Sequence, residues 1–94
     1  LTPEAIAERL ANDLNAAVRE ECGAVFSVVN VVAENVPFWA IDAAVQLDWP
    51  PGTRRRVLLG VGDSGDAAYD KLVAEAQAYF GEVLAPGNGS ACFA

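Results

Sequence analysis

The residues best suited to chemistry lie around the third quarter of the chain. Gly60-x-Gly62-x-x-Gly65 has the spacing of a dinucleotide-binding loop, in which glycines let the backbone approach a pyrophosphate at the start of a helix. That chemistry needs a further parallel strand after the helix, carrying an acid for the ribose. Here only a short turn-like stretch follows Leu84, and Asp63 and Asp66 would face the pyrophosphate. The glycines are therefore expected to permit a tight strand-to-helix turn. Ser64, within Gly62-Asp63-Ser64-Gly65, sits where an acyl-transfer nucleophile could be presented. Such a serine works with a histidine base, and the sequence contains no histidine. Lys71 as a substitute base is one lysine on a helix surface among carboxylates.

Paired carboxylates can perform acid–base work when they lie close together and one is buried. Asp42 and Asp48 share one face of a strand but fall about 20 Å apart at the usual strand rise, too far for a two-carboxylate mechanism. Arg54-Arg55-Arg56 is half of the chain's basic charge, three of six residues. It could grip a phosphate or an acidic partner, or pair across a hairpin with Asp48. Cys22 and Cys92 stand far apart in sequence and belong to no C-x-x-C. Reduced thiols in a cytoplasmic protein are expected, with a bridge from the tail to the end of the first helix as the alternative. No structural metal and no cofactor are expected.

Composition bounds the rest. Ninety-four residues form one domain, and 53% apolar content with a mean hydropathy of +0.24 excludes a disordered chain. Apolar runs are short and interrupted by charge, so no membrane span is expected. Nor is a signal peptide, since Glu4 and Glu8 come early and no basic segment leads. A net charge of −7 disfavours phosphate backbones and anionic lipid and suits a basic partner.

The elements that must position these residues follow from periodicity. Thr2-Pro3-Glu4 opens a helix, Ile6, Leu10, Leu14, Ala17 and Val18 make its apolar stripe, and Gly23 is expected to end it. The valine-dense stretch 24–34 predicts a strand, apolar on both faces apart from Ser27 and Asn30. Phe38–Trp49 alternates with a two-residue period, with Trp39, Ile41, Ala43, Val45 and Leu47 on the dry face. Pro50-Pro51-Gly52 turns the chain, and Arg54–Val61 returns as the second arm of a hairpin. A second helix begins after Asp63 or Ser64 and ends at Gly81 or, at the latest, Pro86-Gly87.

The expected fold is α+β, in the order α-β-β-β-α, with three antiparallel strands and both helices packed on one face of the sheet. Residues 1–87 form the domain and 88–94 a tail. The layout resembles the double-stranded-RNA-binding domain over residues 24–84, including Gly60-x-Gly62-x-Ser64 between third strand and second helix. The resemblance implies a shared layered shape. That family's RNA contacts include a lysine-rich start to the second helix, where this chain has Gly65, Asp66 and Asp70.

The other sheet face is expected to stay open. Phe38 lies on the mixed side of the long strand; with Phe26, Val28, Val32, Ala40 and Ala44 it would form an exposed apolar patch, the usual mark of an interface. The functional expectation is a non-enzymatic protein-interaction module, like a small acidic inhibitor, immunity or phage-type accessory protein. It would dimerise or dock on a partner, a basic one by the chain's charge, through Phe26, Val28, Phe38, Ala40, Asp42, Arg54 and Arg56. The alternative is nucleic-acid binding through Arg54–Arg56, which the net charge disfavours.

Overall fold

The computed structural model describes residues 2–52, 54–87 and 91–93. The elements are helix α1 (Pro3–Ala17), a short 3-10 turn (Glu20–Cys22), strands β1 (Val25–Glu34), β2 (Trp39–Trp49) and β3 (Arg54–Gly62), and helix α2 (Gly65–Leu84). The strands form one antiparallel sheet in the order β1-β2-β3, so the long alternating strand is central, as expected. Both helices pack on one face: α1 mainly against β1, and α2 mainly against β3.

Local sequence explains the helix starts. The Thr2 hydroxyl accepts from the Ala5 N–H and the Ser64 hydroxyl from the Ala67 N–H, each satisfying a donor that the helix leaves free. Pro3 occupies the first turn of α1, where its missing N–H costs nothing. The core joins Ile6, Leu10 and Leu14 from α1 to the odd-numbered stripe of β2 and to Leu72, Ala76 and Phe80 of α2. No helix among the described residues is long and apolar enough to cross a membrane.

Two expectations about the helix ends are corrected. Helix α1 stops at Ala17, not Gly23, because Val18 turns extended and bridges to Phe93, while the Arg19 N–H donates to the Cys92 carbonyl at 2.7 Å. Gly23 does adopt the left-handed conformation, with φ of 62°, but it closes the 3-10 turn. Gly81 neither frays nor ends α2; it is buried inside the helix.

The cysteines are joined: Cys22 and Cys92 form a disulfide with Cα atoms 5.8 Å apart. The bridge replaces the expected reduced thiols and draws the end of the chain onto the domain. Phe93 is buried, stacked on Phe26 at a centroid distance of 5.9 Å, and belongs to the same core as the helices. Cys92 and Phe93 of the expected tail are thus part of the packed unit, while 88–90 and 94 lie outside the described residues.

Candidate functional site: the uncovered sheet face

Opposite the helices, the sheet presents rows of directly paired residues. From the hairpin end they are Ser27–Gln46–Arg55, Val29–Ala44–Val57, Val32–Asp42–Leu59 and Glu34–Ala40–Val61. The two middle rows are apolar except for Asp42, and no other element covers them. Exposure is 37% at Val29, 49% at Val32, 66% at Val57 and 52% at Leu59. Large aliphatic side chains this open, adjacent on one face, form a continuous patch.

A bulge in β1 decides which residues belong to it. Pairing slips between Val29 and Val32, and Asn30 takes a φ of 53°, a conformation asparagine tolerates better than most residues. Before the bulge, even positions face the helices; after it, odd ones do. Phe26 (3% exposed) and half-buried Val28 therefore pack into the core, and Val32 comes out onto the open face. This corrects the placement of Phe26 and Val28 beside Phe38 and Ala40.

The remaining candidates divide. Ala40 and Asp42 lie on the open face, and Phe38 is exposed just before β2 begins. Arg54 and Arg56 pair with Leu47 and Val45, so they project to the helix side, and Arg55 projects to the opposite side. The Arg56 guanidinium sits over the Tyr79 ring at 4.9 Å. Arg54 lines a shallow groove of about 270 Å³ with Leu47, Pro50, Pro51, Val83 and Leu84. Arg55 donates to the Gln46 carbonyl oxygen Oε1 from Nε at 3.1 Å and from Nη2 at 2.6 Å, and Gln46 donates to Asp48 at 2.8 Å. The expected Arg–Asp48 pair is thus relayed through Gln46.

Val57, Leu59 and Val61 were missed as members of the patch. The signal was present: antiparallel pairing of β2 with β3 sets even positions on one strand opposite odd positions on the other, and Arg55, Val57, Leu59, Val61 is an alternating series.

The glycine-rich step serves packing. A Cβ on Gly60 would collide with the Ala68 carbonyl and come within 2.8 Å of the Leu72 backbone nitrogen; one on Gly62 would lie 2.7 Å from the Ala68 nitrogen. These glycines let β3 run directly against α2, and Ser64 is engaged as the helix cap. Among the described residues, both ion pairs involve Arg9, which lies 3.8 Å from Asp13 and 3.9 Å from Asp66. Arg9 also covers the ring of buried Tyr69 at 4.0 Å, and the Tyr69 hydroxyl donates to Asp13 at 2.5 Å, tying α1 to α2. Burial, followed by the hydrogen bond to Asp13, pushes the Tyr69 hydroxyl well above its ordinary pKa. This group therefore stays a protonated tie between the helices and sits far from the open face. No group of three His, Cys, Asp or Glu side chains among the described residues is placed to hold a metal ion. No protein-family model, curated protein or solved structure matches the chain.

Proposed function

We propose that this chain is a non-enzymatic protein-interaction module that docks through its uncovered sheet face. The observation that carries the reading is the exposed group Val29, Val32, Val57 and Leu59, side by side on a sheet whose other face is already filled by two helices. A sheet with one apolar face in water gains by covering it. The acidic surface, with a net charge of −7, suits a partner with basic character, as in small inhibitor, immunity or accessory proteins. The three arginines lie on two faces and two of them are engaged within the molecule, so they support no continuous phosphate track. The Cys22–Cys92 bridge supports an oxidising compartment over the cytoplasm as the working environment.

The test compares two baits in extract of the source organism: the native chain and Val57→Thr with Leu59→Thr. Threonine keeps the strand preference while removing apolar surface. A protein recovered at least about tenfold better on the native bait supports the reading, tenfold being the weight of one well-buried contact. Equal recovery on both baits, or none on either, defeats it.

A further inference from the structure

We propose that the partner presents an apolar protein surface with one lysine or arginine at its centre, seated on Asp42, and that a second copy of this chain does not fill the role. The inference rests on the docking reading above and specifies the chemistry of the occupant.

Asp42 is ringed by apolar side chains. Its cross-strand neighbours are Val32 and Leu59, and its same-face neighbours along β2 are Ala40 and Ala44. Among the described residues it has no ion pair and no side-chain hydrogen bond. Any surface that covers Val32 and Leu59 also removes water from this carboxylate. Burying an uncompensated carboxylate is strongly unfavourable, whereas a charge-assisted hydrogen bond from a cation restores what water supplied. The face therefore favours an apolar cover that carries a cation in the middle of it.

A second copy lacks that cation. A twofold pair of these chains would bring the same face from both sides. The one base in the four rows is Arg55, at a corner and already bonded to Gln46, with the apolar row of Ala44 between it and Asp42. Pairing would carry in Asp42 and Glu34 twice. Anionic lipid is disfavoured by the same two carboxylates.

The probe is a displayed library of random peptides, selected on the 94-residue, disulfide-bonded chain. Enriched peptides are expected to carry lysine or arginine flanked by apolar residues, and to lose affinity about tenfold or more on Asp42→Asn. Selection on Asp42→Lys is expected to return peptides with an acid in that place. Peptides weakened by Val57→Thr with Leu59→Thr but indifferent to Asp42→Asn overturn this inference and leave the docking reading standing. Peptides indifferent to all these changes, or a library that yields no binder, overturn both. A concentration-dependent dimer in sedimentation that Leu59→Lys dissociates, or binding to phosphatidylglycerol vesicles lost on the same change, replaces the proposed partner and overturns the inference.

Discussion

Asn15 of α1 holds both backbone groups of Phe26 in β1: its side-chain oxygen accepts from the Phe26 N–H at 2.8 Å, and its amide donates to the Phe26 carbonyl at 3.0 Å. β1 is an edge strand, and outward-facing N–H and C=O groups on an edge invite pairing with another chain. A helix side chain here takes the place of a neighbouring strand. The same contact fixes Phe26 where it meets Phe80 edge-on at 5.1 Å and Phe93 face-on.

Asn15→Ala is accordingly expected to destabilise the fold by about 2 kcal/mol, because two hydrogen bonds disappear and a buried residue's backbone is left without partners. Urea unfolding of the variant against the native chain measures it; an unchanged midpoint would show that the clamp is dispensable.

Gly60→Ala tests the close approach of β3 to α2. The added methyl meets the helix backbone at Ala68 and Leu72, which cannot rotate aside as a side chain could. A loss of about 3 kcal/mol is expected, at the upper end of overpacking costs, read as a lower melting temperature in a calorimetric scan. Survival at native stability would mean that the helix shifts freely.

Reducing the Cys22–Cys92 bridge, or replacing both residues with alanine, releases a closure that spans 70 residues. The chain-entropy account gives about 4 kcal/mol for a loop of that size. Amide exchange at Phe26 and Val18 should accelerate alongside, since Phe93 is no longer held against them. Equal stability of oxidised and reduced forms contradicts the part assigned to the bridge.

Tyr69 makes a prediction in alkali. Its hydroxyl is held protonated in the fold by burial and by Asp13, while in the unfolded chain it ionises near the ordinary tyrosine value of about 10. The folded pKa is raised, so its contribution is complete below pH about 10 and is lost as pH climbs from there toward the folded value. Denaturant midpoints should therefore fall more steeply above pH about 10 for the native chain than for Tyr69→Phe. Parallel curves for the two proteins would remove Tyr69 from the account of alkaline unfolding.

Val57→Thr with Leu59→Thr is expected to leave stability within about 0.5 kcal/mol, because both side chains are mostly in water already. Retention on a hydrophobic-interaction column should nevertheless drop. A large loss of stability would show that the face supports the fold, contrary to its proposed use as a free surface.

Much of the architecture was written in local pattern. The alternation of Trp39–Trp49, the three-and-four spacing of Ile6, Leu10 and Leu14, the caps Thr2 and Ser64 and the turn after Trp49 each depend on residues a few places apart, and each element formed where that spacing put it. The mixed face of β2, with Ala40 and Asp42, was legible for the same reason. What sequence could not supply was anything settled between distant residues. One extra residue at Asn30 reverses which side every later β1 position faces, and that slip is defined only against β2. Likewise Val18 leaves its helix, and Cys22 finds its partner, only because Phe93 and Cys92 return from the far end of the chain. Periodicity reports each element's own neighbours; the parity of a bulged strand and the docking of a terminus are set by packing across the whole domain.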